Sequence, residues 1–349
     1  MAFGRKLISK LIVLLVLAGV GFGSYWAYIN LYKPNVNTEG KNYKYIFIPK
    51  EADYQLLLEI LYNENIIENH TSFEFMAKRM ELDKNVHPGK FKVTNGMNNR
   101  QIILMLKNNR QEKIKLTFNS QIHNLDEFAE YLDNKLELSY DEVEDFLHDD
   151  TRLEKEFGMD PDNVMALILN NVYEVSWAVT VDELFTEIKE HFDSVFTKAR
   201  KERAAKIGFT LPEIVTIASI VQSESGIYSE QQKIAGVYIN RVKKDMLLQA
   251  DPTLKFANKN FEVQRVTNAD KEIDSPYNTY KYKGLPPGPI CLVNTQSIDA
   301  VLNYTKHNFI FFCARPDFSG YSDFAATYEQ HQRNADAYQK ALNKKGIMR

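Results

Sequence analysis

Glu224 is the residue whose type and position in the sequence are best suited to acid–base chemistry. Apolar residues recur at helical spacing through residues 211–225 and define a buried stripe: Ile214, Ile217, Ala218 and Val221. Glu224 follows Val221 by three residues and therefore lies on the same face of the predicted helix. A carboxyl group held there is partly desolvated, which raises its pKa and suits it to donating a proton near neutral pH.

A structural reading of the same pattern stays open. If the helix ends near Ser225 and Gly226, Glu224 reaches solvent and has no special role. A glutamate at a helix C-terminus is also disfavoured by the helix dipole, so its placement there asks for a reason.

Polar and aromatic residues are unusually dense in the segments that follow. We predict that six of them bind a substrate: Asn240, Gln249, Asp251, Tyr277, Asn278 and Tyr280. Amide and phenol groups match sugar hydroxyls and ring faces, and the Pro- and Gly-rich run 284–290 fixes a loop beside them. Each alone is also explained by a capped turn or a packed tyrosine. Asp251 is the nearest second carboxylate, although Asp-Pro-Thr is more typical of a turn that fixes a loop.

The elements that must position these residues predict an α+β chain. An aromatic strand at 43–48, two helices, a strand at 90–93 and a helix capped by Asn98 form one compact module. This order is similar to that of a LysM-type glycan-binding module. A strand at 114–118 and several helices follow, and the charged run at 200–206 is predicted to be a solvated helix face. A strand at 309–312 and a polar helix at 325–344 end the chain.

The N-terminus predicts a membrane anchor. No charged residue occurs from Leu11 to Tyr32, and Arg5, Lys6 and Lys10 precede this run, so the positive-inside rule keeps the N-terminus cytoplasmic. Tyr25, Trp26 and Tyr28 match an outer aromatic belt. The alternative is a cleaved signal peptide, and both place the remaining chain outside the cytoplasm. The polar segment 33–41 is predicted to be a tether.

Composition excludes several classes of protein. The 43 basic and 46 acidic residues give a net charge of −3, which provides no basic field for nucleic acid. Two cysteines exclude a disulfide-dense scaffold and a four-cysteine zinc site, and no metal or organic cofactor is predicted. Cys291 and Cys313 are open to two readings, a disulfide or buried free thiols.

Five blocks of this sequence, in order, resemble the endolytic murein transglycosylase (MltG, YceG-like) family. They are ASIVQSES at 218–225, VYINR at 237–241, LQADPT at 248–253, YNTY at 277–280 and GLPPGPI at 284–290. The aromatic block YEVSW at 173–177 is similar as well. The resemblance implies a domain organisation of cytoplasmic N-terminus 1–10, inner-membrane anchor 11–32, linker 33–41, LysM-like module 42–113, helical middle region 114–200 and catalytic domain 201–349.

The resemblance also implies a reaction and its residues. The family cleaves the β-1,4 bond between N-acetylmuramic acid and N-acetylglucosamine within nascent glycan strands and leaves 1,6-anhydromuramyl ends. Its catalytic glutamate corresponds to Glu224, and the glutamate that many members have at Gln222 is absent here. The implied partners are glycan strands, peptidoglycan synthases and the membrane. Thr295-Gln296 and Ser322 depart from the family pattern, whereas His331 matches a family histidine.

Two rival functions remain open at this point. One is a non-catalytic peptidoglycan-binding scaffold that recruits wall-building proteins. The other is a hydrolytic muramidase, which would leave reducing ends in place of anhydro ends.

Overall fold

The structure is a computed structural model that describes residues 2–261 and 266–344, with side chains from residue 10 onward. The chain divides into two compact units. The N-terminal unit comprises Met1–Lys115, Lys135–Glu137 and Glu174–Val179. The C-terminal unit comprises Leu116–Asn134, Leu138–Tyr173 and Thr180–Arg349, so most of the predicted middle region belongs with the predicted catalytic domain.

The chain begins with a long apolar helix, α1 (Ala2–Ala27), which continues into a π-helical turn at Tyr28–Tyr32. The stretch Lys10–Tyr32 is long and apolar enough to cross a membrane, and its apolar side chains are exposed. Length and composition do not distinguish an anchor from a signal sequence. The side chains of Arg5 and Lys6 lie outside the described residues.

The N-terminal unit contains the predicted strand–helix–helix–strand–helix order. Its elements are β1 (Tyr43–Ile48), α2 (Tyr54–Asn63), α3 (His70–Arg79), β2 (Gly89–Thr94) and α4 (Asn99–Lys107). The strands pair antiparallel, with Tyr43 opposite Thr94 and Ile48 opposite Gly89. Asn98 caps α4 through a capping box, as predicted. The likeness to LysM modules stays a prediction.

The segment 33–41 is packed into this unit and is not a free tether. Val36 is buried and pairs with Ile67 through an isolated bridge, and Thr38 is fully buried. The buried Asn35 donates to Asn99 Oδ1 at 2.7 Å. Polar composition predicted a tether because it does not reveal that these amides bond to one another inside the module.

Two strands and five helices come next along the chain. They are β3 (Ile114–Phe118), α5 (Leu125–Asp133), α6 (Tyr140–Leu147), α7 (Asp150–Phe157), β4 (Asn171–Val175), α8 (Val181–Val195) and α9 (Lys198–Ile207). The strands β3 and β4 form a two-stranded sheet. The face of α9 is not wholly solvated, because Arg200 makes a bidentate pair with Asp299 at 2.7–2.8 Å.

The remaining elements build the site. They are α10 (Leu211–Glu224), α11 (Tyr228–Lys243), α12 (Asp251–Ala257), α13 (Thr295–Leu302), β5 (Phe311–Ala314), β6 (Ser322–Ala325) and α14 (Tyr328–Lys344). Helix α10 is buried from Ile214 to Val221 and packs against α11 and α13. The strand predicted at 309–312 is β5, which begins two residues later. Ala325, predicted to start the final helix, is instead a buried end residue of β6, which pairs with β5.

Candidate active site

Glu224 is the last residue of α10 and is half-buried at the end of the apolar stripe. Tyr238 on α11 is 2% exposed, and its hydroxyl donates to Glu224 Oε1 at 2.7 Å. The carboxyl group is therefore held by a neighbouring helix and does not turn into bulk water, which is the placement that the helical spacing predicts.

Burial raises the pKa of Glu224 to about 7. The hydrogen bond from Tyr238 lowers this pKa, the negative charge of Asp251 raises it, and the Lys255 ammonium lowers it. Burial also keeps the pKa of Tyr238 well above its ordinary value, so the phenol remains a donor. Near neutral pH the carboxyl group is thus divided between its acid and base forms.

Glu224 lines a cavity of about 290 Å³. Its other lining residues are Arg241, Leu248, Gln249, Asp251, Tyr280, Phe311, Phe312, Tyr328 and His331. Of the six residues predicted to bind substrate, Gln249, Asp251 and Tyr280 share this cavity with Glu224. Carboxyl, amide, phenol and ring surfaces together match the groups of a saccharide.

Asp251 and Tyr280 form a second tyrosine–carboxylate pair, in which the Tyr280 hydroxyl donates to Asp251 Oδ1 at 2.5 Å. Asp251 is exposed, unlike Glu224. Burial and this hydrogen bond raise the pKa of Tyr280, so its hydroxyl keeps its proton. The site therefore holds one carboxyl that can be protonated near neutral pH and a second carboxyl open to the solvent.

Arg241 connects the segments that form the wall of the cavity. Its buried guanidinium donates to the carbonyls of Ile310 at 2.6 Å and Leu248 at 2.8 Å, and to Gln249 Oε1 at 3.2 Å. It also lies 5.1 Å from the ring centroid of Phe311. The left-handed backbone of Gln249, with φ of 50°, is held by these contacts.

The other three predicted residues do not line the cavity. Asn240 donates to the carbonyls of His307 at 2.8 Å and Phe309 at 2.9 Å. The chain comes this close because Gly236 has no side chain: a Cβ there would lie 2.6 Å from the Thr305 carbonyl oxygen.

Asn278 is fully buried and donates to the carbonyls of Lys271 at 2.9 Å and Ile273 at 2.8 Å. Tyr277 packs on Phe256 with ring centroids 4.4 Å apart. Buried amides and phenols satisfy loop carbonyls as readily as sugar hydroxyls, and residue type alone does not distinguish the two uses.

Sequence reasoning assigned no role to several residues around Glu224. Tyr238 and Arg241 follow Ile234 by four and seven residues, so all three share the buried stripe of α11, and polar side chains on that stripe were the available signal. Phe311, Phe312, Tyr328 and His331 come from β5 and α14, and no local pattern indicates that they return to α10. His331 stacks on Phe311 with centroids 5.1 Å apart, and burial lowers its pKa, so its ring is neutral at pH 7.

The contacts of Gln222 and Cys291 are those of structural residues. Gln222 donates to the Leu292 carbonyl at 3.0 Å and accepts from the Asn294 backbone at 2.9 Å, a double role that suits an amide. Both cysteines are free thiols. Burial raises the pKa of Cys291 to about 11, so it is not a nucleophile near neutral pH.

The residues that depart from the family pattern, Thr295-Gln296 and Ser322, lie in regular elements of the structure. Thr295 begins α13, which Asn294 caps. The Ser322 backbone donates to the fully buried Glu230 at 2.8 Å. Within the described residues, no three His, Cys, Asp or Glu side chains are grouped to hold a metal ion.

Comparison with known proteins connects this site to a family. The model of the YceG-like family matches residues 46–337. An endolytic murein transglycosylase of Bacillus subtilis is 27% identical over 330 residues, which cover 89% of each chain. One from Streptococcus pneumoniae is 24% identical, and its match covers 94% of this chain and 64% of the relative.

A solved structure agrees with the sequence matches. The crystal structure of a YceG-like protein from Listeria monocytogenes aligns with a TM-score of 0.55 at 26% identity, covering 84% of this chain and 99% of that one. The family model spans most of the sequence, with parts of both units and every residue of the cavity. The chain therefore belongs to the YceG-like family, an enzyme family whose curated members matched here are named endolytic murein transglycosylases.

Proposed function

We propose that this protein is a lytic transglycosylase that cuts the bond between N-acetylmuramic acid and N-acetylglucosamine within peptidoglycan strands. Interior cutting limits strand length, and the new ends are 1,6-anhydromuramyl residues. The observation that carries the proposal is the carboxyl of Glu224, with its pKa raised to about 7, on the wall of a cavity lined by polar and aromatic groups.

In the first step Glu224 acts as the acid. Its protonated carboxyl gives a proton to the glycosidic oxygen, and the bond from that oxygen to C1 of the muramoyl residue breaks as positive charge develops at C1. The carboxylate that results keeps the hydrogen bond from Tyr238, which stabilises its charge.

In the second step the same carboxylate acts as the base. It takes the proton from the 6-hydroxyl of the muramoyl residue while that oxygen bonds to C1. Glu224 is then protonated again, the anhydro ring is closed, and no water is consumed. One carboxyl is enough for this sequence, whereas most glycosidases require a second as nucleophile or water activator.

Asp251 has a supporting role in this proposal. Its charge, open to the cavity and oriented by Tyr280, stabilises the positive charge that develops at C1. Gln249 and Tyr280 contact the sugars directly. Asn240, Tyr277 and Asn278 act one layer further out, by holding the loops that carry these contacts.

The test is digestion of purified glycan strands by the full chain in detergent, with mass spectrometry of the new ends. We expect interior cuts and anhydro ends from the wild type and none from Glu224→Gln, which preserves shape but cannot donate the proton. Glu213→Gln is the matched control, because it makes the same change at the opposite end of α10, where Glu213 serves the capping box.

The outcomes separate the three functions. Reducing ends would identify a hydrolase, in which Asp251 activates water. Binding of strands without any cleavage by the wild type would leave a scaffold. Equal cleavage by the wild type and Glu224→Gln would contradict the site assignment.

We further propose that α1 is a single-pass anchor in the cytoplasmic membrane and that both units lie on its outer side. The exposed apolar surface of Lys10–Tyr32 and the exposed rings of Tyr25, Trp26 and Tyr28 at its end support this placement. An enzyme held there meets glycan strands as membrane-bound synthases release them, so such synthases are the partners that we propose.

A further inference from the structure

A second cavity, of about 230 Å³, lies within the C-terminal unit. It is lined by the residues just before and just after those of the first cavity: Ser223 precedes Glu224, and Pro252 and Lys255 follow Asp251 on α12. Ser120, His123, Gln222, Phe261, Ile290 and Cys291 complete its lining. Glu224 and Asp251 therefore stand at the junction of two cavities.

Lys255 is the charged group of this second cavity. Its side chain is half-buried, and no carboxylate lies within 4.0 Å of its ammonium among the described residues. Asp251, one helical turn earlier on the same helix, is bonded to Tyr280 instead. Glu224 interacts with Lys255 only electrostatically and not as an ion pair in contact, and a half-buried cation with no contacting carboxylate favours an anion brought by a ligand.

The opposite wall is rigid and polar. His123 stacks on Phe261 with ring centroids 3.6 Å apart, and its Nδ1 lies 3.0 Å from Glu127 Oε2. Its backbone N–H donates to the same oxygen at 2.8 Å. The ring is thus fixed in position, and its Nε2 has no partner among the described residues.

The reaction creates a requirement that this cation can meet. N-acetylmuramic acid and N-acetylglucosamine alternate along a strand, and they differ only in the lactyl arm on the muramoyl C3 oxygen. Only a muramoyl C1 beside Glu224 gives the required product, so the enzyme must recognise which sugar it holds. The lactyl arm, which ends in a carboxylate or continues into an acidic peptide, is the only feature that distinguishes the muramoyl residue from its neighbours.

We propose that the second cavity receives the acidic arm of the muramoyl residue and that Lys255 binds its carboxylate, which sets the register of the strand over Glu224. This inference rests on the proposed function, since it names the part of the substrate that the site recognises. The first cavity then holds the sugar rings. Lys255 is a specificity-determining residue and takes no part in proton transfer.

Binding to a variant that cannot cut the strand isolates this recognition. We would measure Kd by calorimetry for full-length Glu224→Gln and for Glu224→Gln/Lys255→Met with three ligands: peptide-free strands, the same strands with their lactyl carboxyls converted to methylamides, and peptide-bearing strands. We expect Lys255→Met to raise Kd for peptide-free strands roughly 10- to 100-fold and to leave Kd for the methylamide strands unchanged.

Two further variants test whether the effect depends on the charge of Lys255. Lys255→Arg keeps the charge and should restore most of the affinity, whereas a merely structural role would not follow charge. Lys259→Met is the matched control, because it removes a lysine that is 76% exposed from the same segment and should change nothing. A Kd increase confined to peptide-bearing strands would place the recognised carboxylate in the peptide.

Equal Kd values for Lys255→Met and its parent with all three ligands would overturn the inference. That result is distinct from failure of the proposed function, which is judged by anhydro ends from wild-type digestion and by their loss in Glu224→Gln. Cleavage with anhydro ends but no carboxylate dependence at Lys255 would leave the function standing and remove only the role of the second cavity.

Discussion

At the scale of single residues, the proposed chemistry depends on the balance between burial of Glu224 and its hydrogen bond from Tyr238. Burial raises the pKa of the carboxyl to about 7, and the tyrosine opposes this by stabilising the charged form. Because the proposed acid must be protonated when the strand binds, kcat/KM should fall as pH rises through about 7. The alkaline limb of the kcat/KM profile should fit a single ionisation.

Removing the Tyr238 hydroxyl should move that limb. In Tyr238→Phe the charged form of Glu224 loses its donor, so its pKa rises and the alkaline limb shifts to higher pH. The rate at its maximum should fall roughly ten- to a hundredfold, since the carboxylate formed by proton transfer is less stable. Tyr62→Phe is the control: it breaks a similar tyrosine–glutamate bond, to Glu74 at 2.9 Å, in the N-terminal unit. A limb that stays in place in Tyr238→Phe would show that Glu224 is not the titrating acid.

The same shifted pKa predicts a cost in stability. A carboxyl whose pKa rises from 4.5 unfolded to about 7 folded favours the native state fully below 4.5, and this contribution is lost as pH rises to about 7. At about 1.4 kcal/mol per unit, ionisation of Glu224 destabilises the fold by on the order of 3 kcal/mol at alkaline pH.

Glu224→Gln, which resembles the protonated acid, should therefore be more stable than the wild type above pH 7 and equal to it below pH 4.5. Thermal unfolding of both proteins across this range measures the difference. Glu213→Gln should show no such pH-dependent gain. A variant less stable than the wild type at alkaline pH would contradict the desolvated placement of Glu224.

At the scale of elements, local rules predicted the helices and strands well. The stripe on α10 correctly indicated the face that carries Glu224, and Asn98 was correctly identified as the cap of α4. These features depend on residues within a few positions of one another, so the sequence contains them. The predicted start of the last helix was wrong because Ala325 belongs to β6 and pairs with Phe311 of β5, which is fourteen residues earlier.

The site itself was only partly predictable, for a physical reason. Gln249, Asp251 and Tyr280 line the cavity, whereas Asn278 and Asn240 satisfy buried carbonyls. The side-chain chemistry is the same in both groups, and only the tertiary fold decides which amide meets solvent. His331 illustrates the converse, because its position in the cavity depends on α14 returning to the helices that carry Glu224 and Arg241.

The segment between the apolar helix and β1 is held in the N-terminal unit by hydrogen bonds of Asn99, and a substitution there tests this packing. Asn99 donates to the Asn30 carbonyl at 2.8 Å and to Ser72 Oγ at 2.9 Å, and accepts from Asn35. Asn99→Leu would leave several buried polar groups unpaired, so it should lower the free energy of unfolding by about 2–4 kcal/mol.

Limited proteolysis should also find new cleavage within residues 33–41 of Asn99→Leu, because that segment would be released from the module. Asn95→Ala, at an exposed turn of the same unit, should leave both stability and cleavage unchanged. Unaltered protease resistance of Asn99→Leu would mean that the segment is held by its apolar residues alone.

At the scale of the whole molecule, the proposal requires that the enzyme stay on the membrane where strands emerge. The network through Asn30, Ser72 and Asn99 joins the end of the apolar helix to the N-terminal unit, and Trp26 packs edge-on against Phe75 at 5.2 Å. If the helix is not cleaved, it connects directly to the N-terminal unit, with no flexible tether between them. A cleaved signal peptide would remove the apolar stretch from the mature protein, so the two readings differ in location.

Fractionation of cells that express the full chain with a tag at each terminus distinguishes them. An anchor keeps both tags on one polypeptide, which sediments with membranes and is released by detergent but not by salt. Val16→Arg/Leu17→Arg places two charges near the middle of the helix, where each costs about 2.5–3.5 kcal/mol, and should shift the protein out of the membrane fraction. Val16→Leu/Leu17→Ile, which keeps the stretch apolar, should not. Loss of the N-terminal tag from the mature wild-type protein would instead identify a signal peptide, and the enzyme would then have to find its strands by glycan binding alone.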